Sequence, residues 1–253
     1  MNKQFRNVVK NKIMESFPQN HIGRPQKIDL DETLDLLFKI VKGGHQWRLV
    51  QSKHVSYTTI YRHANKWFKS NIFEKAYKVV LRWYRRHHPA KYYCIDSTMV
   101  KNQYGIECKG RNPTDRGRNG TKMTTIVDQN GVTNSVLFTG SNISDCVLME
   151  RSIRQCLEPL ETLEMLADRG YASRNNSRIC SSYKLKDRIF RKKTKTTRRT
   201  NSKRGVIERS YSWLDKHRRL IMRYEKHINT YSEMVFIALS QLVCNRFLSA
   251  YDT

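Results

Sequence analysis

The chain has 253 residues, 48 of them Lys or Arg and 22 Asp or Glu, so its formal charge at pH 7 is +26. Because 38% of the residues are hydrophobic and 10% aromatic, a chain of this length can bury a core, which argues against disorder throughout. A charge surplus this large favours a polyanionic partner, nucleic acid before an acidic membrane, over a small acidic substrate.

Two negative features narrow the class of protein further. No uninterrupted apolar stretch approaches the about 20 residues of a membrane-spanning helix, and the basic N-terminus is not followed by the apolar segment of a secretory signal. The six cysteines are at least 10 positions apart, which is not the close spacing of a zinc or redox motif. We therefore expect a protein that stays inside the cell with reduced thiols.

The first third of the chain predicts helices. Residues 1–27 are polar and basic without a sustained period, so we expect a loosely ordered basic arm or a partial helix. Apolar residues at helical spacing then predict three helices, over residues 30–41, 56–70 and 71–86. Three short helices in a row are typical of a helix-turn-helix-like bundle, so residues 28–88 are assigned to a small all-helical DNA-binding module.

The period changes at Pro89. The segment KYYCIDSTMVK alternates as a strand does, and TKMTTIVDQNGVTNSVLF predicts a hairpin, because Asn-Gly is the pair that tight primed turns prefer. LEMLAD and KDRIF predict short strands, and helices are expected near residues 145–156, 206–220 and 232–248. Strands followed by helices indicate an α/β layer fold, and residues 89–253 are assigned to it as one domain.

A run of cations without any acid covers residues 191–204. A solvated loop is the ordinary explanation of such a run, but in a chain this basic we expect it to contact phosphates. In a eukaryotic host the same tract would suit a nuclear import signal. Its cations are Arg191, Lys192, Lys193, Lys195, Arg198, Arg199, Lys203 and Arg204.

Three acids stand out in this basic chain because each lies at the end of a predicted strand or early on a helix. Asp96 lies in YYCIDSTMV, Asp168 ends LEMLAD, and Glu208 lies in RGVIERSYSWL. Three carboxylates from separate segments are a ligand set that Mg²⁺ accepts together with waters and substrate phosphate oxygens. Two such ions about 3.5–4 Å apart would support an in-line phosphoryl displacement.

The same acids have simpler explanations. An Asp inside a strand also caps loops, an Asp before Arg-Gly also serves turns, and Glu208 is spaced to pair with Arg204 one helical turn earlier. Asp115, Asp128 and Asp145 lie in or near the same strands and compete for the role, although the DQNG turn explains Asp128 best. The spacing of these acids therefore does not by itself distinguish a metal site from these structural roles.

Several segments together match one known family. The N-terminal module of that family is similar to GHQWRLV and YTTIYRHANKWFKSNIFEKAY, and its central hairpin to GTKMTTIVDQNGVTNSVLFTGSNISD. Its two aspartate motifs are similar to IDSTMVK and LADRGY, and its glutamate helix to RGVIERSYSWLDKHRRLIMRYEKHINTYSE. The chain thus resembles, in order and over most of residues 30–248, the DDE transposases of bacterial insertion sequences. The resemblance implies an RNase H-like mixed sheet flanked by helices.

The resemblance also implies an activity. A DDE transposase cleaves DNA at the ends of an insertion sequence and transfers the freed strand into target DNA. Carried over residue by residue, Asp96, Asp168 and Glu208 become a triad that holds two Mg²⁺ ions, with Mn²⁺ as a substitute. Asp96 would bridge both ions, while the other two acids would each hold one. The implied partners are double-stranded DNA, both terminal inverted repeats and target, and further copies of the chain in a homodimer or higher oligomer.

The sequence departs from the family at one signature, Tyr-x-x-Arg-x-x-x-Glu followed by a Lys. Arg204 and Glu208 keep their spacing, but Asn201 stands at the Tyr position and Asp215 at the Lys position. This puts in doubt which basic residue binds the phosphate at the transposon end. The candidates are Lys216, Arg218 and Arg219, and Arg204 is expected to contact the DNA backbone.

The N-terminal module is expected to recognise the terminal repeat, with residues 56–70 in the major groove and Arg62 and Lys66 on phosphates. Two alternatives remain: a catalytically inactive DNA-binding protein derived from a transposase, and a nuclease of the same fold without strand transfer. In a bacterium we expect the protein in the cytoplasm with the nucleoid, and in a eukaryote in the nucleus.

Overall fold

The computed structural model describes residues 1–18, 29–52, 54–113, 115–161, 163–189 and 196–248, and only the backbone of residues 196–202. The chain forms two compact units, one of residues 1–84 with 214–253 and one of residues 85–213. The α-helices are α1 (Lys3–Ser16), α2 (Leu30–Gly43), α3 (Tyr57–Lys69), α4 (Ile72–His87), α5 (Met149–Arg154), α6 (Arg174–Ser182), α7 (Thr196–Asp215), α8 (Arg218–Ile221) and α9 (Ile228–Val243). The strands are β1 (Tyr92–Asn102), β2 (Gly110–Arg111), β3 (Asn119–Asp128), β4 (Thr133–Gly140), β5 (Glu164–Ala167), β6 (Lys186–Ile189) and β7 (Met222–Arg223).

The first unit is helical. The predicted helices over residues 30–41, 56–70 and 71–86 are present as α2, α3 and α4. Asp29 caps α2, because its Oδ1 accepts hydrogen bonds from the N–H groups of Asp31 and Glu32. Gly44 ends α2 with a φ of 74°, a conformation that favours glycine.

The N-terminal segment contains a partial helix, which is one of the two states expected from its sequence. Residues Lys3–Ser16 form α1, with Asn2 as its cap and with Phe5, Val9 and Ile13 buried. These three residues follow one another at four-residue spacing, so they form a narrow apolar stripe that composition alone obscures. Residues 19–28, the rest of the expected basic arm, lie outside the described part of the chain.

Helix α9 is the most buried helix of the first unit, with buried residues on every side. It belongs to the same compact unit as α1–α3 although it lies near the C-terminus. The division predicted from sequence, a module over residues 28–88 and a catalytic domain over residues 89–253, stays a prediction, since compactness alone does not locate a function.

A buried carboxylate joins α9 to the start of α4. Glu233 is 1% exposed, and its two carboxylate oxygens accept hydrogen bonds from the N–H groups of Phe73 at 2.8 Å and Glu74 at 3.1 Å. These N–H groups belong to the first turn of α4, which has no partners for them within the helix. Burial raises the pKa of Glu233 to about 8, although both hydrogen bonds act in the opposite direction.

The second unit is built on a mixed sheet. Strands β4 and β2 pair with β3, β3 pairs with β1, and β5 and β6 follow in that order. The β1–β3 and β3–β4 pairs are antiparallel, whereas the β1–β5 and β5–β6 pairs are parallel. Helices pack against this sheet, which confirms the predicted α/β class.

The predicted hairpin is β3 and β4. The turn at Asn130-Gly131 joins them with a φ of 79° at Gly131, and Asp128 supports the turn by accepting hydrogen bonds from the N–H groups of Asn130 and Val132. The helices after it differ in their bounds from the prediction. The helix expected over residues 206–220 is instead α7 and the separate short α8, and α6 is not predicted at all.

Both faces of the sheet carry a core. One face packs Tyr93, Ile95 and Met165 against residues of α5 and α6. On the other face, Cys94, Val127 and Leu166 pack with Val206 and Ile207 of α7. Alternate residues of β1 therefore serve opposite cores, and α7 is fixed directly over the middle of β1. Among the described residues, no helix combines the length and the apolarity that crossing a bilayer requires.

We expect Glu233→Ala to destabilise the first unit by about 1–3 kcal/mol, because two buried N–H groups of α4 lose their acceptor. Chemical denaturation monitored by circular dichroism measures this change. An unchanged free energy of unfolding would contradict the capping role.

Glu233→Gln is the matched control, since it keeps a carbonyl acceptor and removes the titration. The folded state of the wild type holds the proton up to about pH 8, whereas the unfolded chain releases it near pH 4.5. The wild type therefore loses stability relative to Glu233→Gln as the pH rises from about 5 to about 8. Parallel pH dependences for the two proteins would contradict the raised pKa.

Candidate functional site

Asp96 lies in the middle of β1, on the face that α7 covers. Its side chain is 21% exposed, and its Oδ2 accepts a hydrogen bond from an Arg204 amino group at 3.0 Å. Its Oδ1 accepts from the N–H of Ser97 at 2.8 Å, and its backbone carbonyl accepts from the hydroxyl of Tyr211 at 2.7 Å. Burial raises the pKa of Asp96, and the nearby negative charge of Asp168 adds to this, whereas Ser97 and Arg204 lower it.

Asp168 follows β5 directly, next to Asp96. In the parallel β1–β5 pair, Cys94 is in register with Leu166, so Asp96 and Asp168 each lie two residues beyond the same registered pair. Neighbouring strands are about 4.8 Å apart. Two acidic residues therefore lie side by side just beyond the point where the parallel pairing ends. Asp168 also caps the following 3₁₀ turn, Arg169–Tyr171, since its Oδ1 accepts a hydrogen bond from the N–H of Gly170 at 2.8 Å.

Glu208 lies on α7 and is exposed. It is one helical turn after Arg204 and three residues before Tyr211, and both of those residues contact Asp96. Residues spaced by three and four positions share a face of a helix, so Glu208 lies on the face of α7 that crosses β1 at Asp96. The register thus makes Asp96 and Asp168 neighbours, and Arg204 and Tyr211 connect Asp96 to the helix that carries Glu208.

In this arrangement the positive charge beside Asp96 comes from Arg204. Within the described ranges, no three His, Cys, Asp or Glu side chains are close enough together to hold a metal ion. The donor chemistry nevertheless fits a hard divalent cation, because the neighbouring groups are carboxylate oxygens and one of them already binds a cationic side chain.

A chain of hydroxyl groups connects the strand of Asp96 with the turn of Asp168. The Ser97 hydroxyl lies 2.8 Å from the Thr124 hydroxyl and 2.8 Å from the hydroxyl of Tyr171. Tyr171 is fully buried, and burial raises its pKa well above the ordinary value. Because Tyr171 follows Asp168 by three residues, the chain fixes the relative positions of the two acid-bearing segments.

A second layer supports the turn after Asp168. The buried Lys122 binds Asp145 through its Nζ, 2.8 Å from Oδ1, and also donates to the carbonyl of Ile143 at 2.6 Å. A Cβ on Gly170 would lie 3.0 Å from Oδ1 of Asp168 and 3.4 Å from Oδ2 of Asp145. Asp145 thus lies close to Asp168, and a side chain at position 170 would press on the carboxylates of both.

The side chain of Asn176 joins two of these segments. Its amide donates to the carbonyl of Cys146 at 2.9 Å and to the carbonyl of Tyr171 at 2.7 Å. No sequence pattern predicts these supporting contacts. Lys122 carries the one signal that could have found them, a lysine within the otherwise uncharged strand segment GTKMTTIV, where burial requires an acidic partner.

The predicted DNA-contact residues of the first unit lie on the exposed face of α3. Ile60, Ala64, Trp67 and Phe68 are buried on the opposite face. The exposed face borders an open cavity of about 670 Å³. Its lining residues are Thr58, Tyr61, Arg62, Asn65, Lys66 and Lys69. Arg62 and Lys66 therefore share a surface with uncharged polar groups.

The remaining basic candidates differ in their surroundings. Lys216 and Arg218 are exposed. Arg219 donates to Glu225 at 2.7 Å in an ion pair whose side chains are only 11% and 4% exposed, which favours a structural role over a phosphate contact. Arg191, Lys192 and Lys193 lie outside the described residues. Arg198 and Arg199 lie on α7, in the segment where the backbone alone is described.

Comparison with known proteins gives a consistent result. Residues 87–243 match the family model for the transposase DDE domain. A putative transposase for insertion sequence element IS402 of Burkholderia cepacia is 28% identical over 169 residues, which are 63% of this chain and 77% of that protein. The cryo-EM structure of a piggyBac transposase synaptic complex with hairpin DNA aligns with a TM-score of 0.52 at 9% identity, over 99% of this chain and 74% of that one. The structural likeness confirms the predicted RNase H-like fold.

We expect Tyr171 and Ser97 to be energetically coupled. Tyr171→Phe should destabilise the second unit by about 1 kcal/mol, because it removes one buried hydrogen bond. A double-mutant cycle with Ser97→Ala should give a coupling energy of about 0.5–1.5 kcal/mol, and Tyr57→Phe on the exposed part of α3 serves as the control. Additive effects in the cycle would refute the link between the two acid-bearing segments.

Proposed function

This chain belongs to the transposase DDE domain family, and we propose that, as a DNA transposase, it cleaves and joins DNA with divalent metal ions held by Asp96, Asp168 and Glu208. The substrates are the ends of an insertion sequence and the target DNA into which it moves. The reaction is a phosphoryl transfer, which requires positioning and charge neutralisation more than covalent chemistry.

The observation that carries this proposal is the register of β1 and β5. It supports a paired role for Asp96 and Asp168, because both acids lie two residues beyond the registered pair of Cys94 and Leu166, at the same end of the parallel pairing. Two like charges placed together in a half-buried setting raise each other's energy unless a cation joins them. A divalent ion meets that need, and α7 supplies Glu208 as a third oxygen donor.

Arg204 has a second role in this proposal. Its guanidinium binds one oxygen of Asp96, where a metal ligand would be required. Release of Arg204 from Asp96 would free both the carboxylate oxygen and a bidentate phosphate donor on the same helix face. We therefore propose that Arg204 leaves Asp96 and binds a DNA phosphate when the metal ions and DNA bind.

The metal ions, most simply two Mg²⁺, would supply activation of the attacking oxygen and neutralisation of the phosphate charge when bound. The protein's own residues do the rest. Tyr211 and Ser97 hold the segment of Asp96 through its carbonyl and N–H groups. Tyr171 and Asn176 hold the turn that presents Asp168. The same site serves cleavage by water and joining by a freed 3′ hydroxyl, since both are in-line displacements at phosphorus.

We assign double-stranded DNA as the partner of both units. The charge of +26 and the exposed cations of α3 support backbone contact in the first unit. The basic tract of residues 191–204 and the exposed Lys216 and Arg218 are further phosphate contacts in this proposal. A homodimer or higher oligomer would bring two ends of an element together.

We expect Asp96→Asn, Asp168→Asn and Glu208→Gln each to lower Mg²⁺-dependent DNA cleavage by at least about 100-fold, while DNA affinity stays within about twofold. Cleavage of a labelled duplex that carries the element's end measures the first quantity, and gel shift measures the second. Glu150→Gln is the matched control, since Glu150 is a partly exposed acid in a surface pair with Arg154.

Full cleavage by any one of the three variants would remove that residue from the site. The same assay separates the two alternative functions. A wild-type protein that binds the duplex without cutting it is an inactive DNA-binding protein, and one that cuts but forms no joined product is a nuclease.

On α3 we expect neighbouring residues to act differently. Lys66→Gln should weaken binding to repeat and scrambled DNA alike and lower the salt dependence by about one unit, as the loss of one phosphate contact does. Asn65→Ala should weaken binding to repeat DNA alone, because an amide can read the edge of an adenine. Gel shifts at several salt concentrations distinguish the two effects. Equal losses on both DNAs for Asn65→Ala would remove it from sequence reading.

A further inference from the structure

A basic loop, defined as residues 101–118, begins with the last two residues of β1 and takes no part in the carboxylate site. It contains two acids, Glu107 and Asp115, against five exposed cations. The cations are Lys101, Lys109, Arg111, Arg116 and Arg118. The basic loop, described throughout except at residue 114, therefore presents a positive surface of its own.

The tip of the basic loop is apolar. Tyr104 is 64% exposed and Ile106 is 57% exposed, and Met99 is an exposed residue on the strand that leads to them. Single exposed apolar residues are common on protein surfaces. An aromatic and a branched aliphatic side chain two positions apart, surrounded by cations, form a pattern that nucleic-acid-binding proteins use to unstack or stack on bases.

The basic loop has a defined shape. Asn102 accepts a hydrogen bond from the N–H of Gly105 at 2.6 Å, and the Thr121 hydroxyl donates to the carbonyl of Cys108 at 2.9 Å. Strand β2, inside the basic loop, pairs with β3 through Gly110 and Gly120. The side chain of Asn142 packs against Gly110, which leaves no room for a Cβ there. These contacts fix the cations relative to the sheet.

The distance from the carboxylates is set by a continuous strand. Asp96 and Lys101 both lie on β1, five residues apart, and both pair with β3. An extended strand rises about 3.3 Å per residue, so the two Cα atoms are about 17 Å apart. At about 3.4 Å per base pair, this length corresponds to about five base pairs of duplex DNA.

We propose that the basic loop is a second DNA-contact surface, which binds the backbone of the duplex about five base pairs from the cleaved bond and places Tyr104 and Ile106 against its bases. The inference rests on the proposed function, because it takes the cleaved bond to lie at Asp96. The cations hold the phosphates, and the apolar tip widens or unstacks the base step that it meets.

The first test removes charge from the basic loop. Lys109→Gln with Arg111→Gln is compared with Lys184→Gln and Lys186→Gln, two exposed lysines near β6, at the other edge of the sheet from β2. The probe is a fluorescent duplex of about 40 base pairs with the element's end at its centre. Shorter forms are cut back on one side or the other, to about four base pairs from the element's end.

The loop variant should bind the full duplex about tenfold more weakly than wild type, with a salt dependence lower by about 1.8 for two lost contacts. When the duplex is shortened on the side that the basic loop contacts, the loop variant and the wild type should bind it with equal affinity. The control variant should match the wild type on every probe. Equal binding of the loop variant and the wild type to the full duplex overturns the proposal.

The second test uses Tyr104→Ala with Ile106→Ala and a 2-aminopurine base four to seven base pairs from the cleaved bond. Wild-type protein should increase the fluorescence at one of these positions, the variant should abolish the increase, and Lys184→Gln with Lys186→Gln should keep it. No increase with wild type overturns base contact by the tip. If the wild-type protein cleaves none of the duplexes, the proposed function is contradicted. If the wild type cleaves normally and the loop variants bind DNA as the wild type does, only this inference is contradicted.

Discussion

The parallel pairing of β1 with β5 is the constraint on which the candidate site depends. It places Asp96 and Asp168 next to one another, two residues beyond the last registered pair of the two strands. Like charges at this separation repel, and burial raises the pKa of Asp96 further. The arrangement is stable because Arg204, from a helix packed across the strand, compensates one of the charges.

A site of this kind requires rigid support, and the second unit supplies it with polar groups that are buried yet hydrogen-bonded. The hydroxyls of Ser97, Thr124 and Tyr171 form one chain, and beside it the buried Lys122 pairs with the partly exposed Asp145. Removal of Asp145 would leave the charge of the buried Lys122 uncompensated in the interior. The support is therefore specific, because apolar replacements would relax the positions of the acids that it holds.

Much of the architecture could be predicted from sequence because its signals are local. Asp29 begins α2 through its side-chain cap, whereas Gly44 at the end of α2 and Gly131 in the β3–β4 hairpin each adopt a backbone conformation that few other residues favour. Contacts between distant segments were not predictable in this way. The ion pair of Lys122 with Asp145 and the cap that Glu233 places on α4 depend on packing, which no periodicity records. The apolar stripe of α1 has only three buried residues among basic neighbours, so it gives no clear helical period in the sequence.

The placement of α9 in the first unit has a consequence for how the chain is made. Helices α1–α3 leave the ribosome before the second unit is translated, but the carboxylate that caps α4 comes 160 positions after Phe73. At about 5–20 residues per second, the nascent helices wait roughly 10–30 s for α9. During that interval their apolar faces are without their eventual cover, so chaperone binding during synthesis, and not only after it, would decide how much protein reaches its native form.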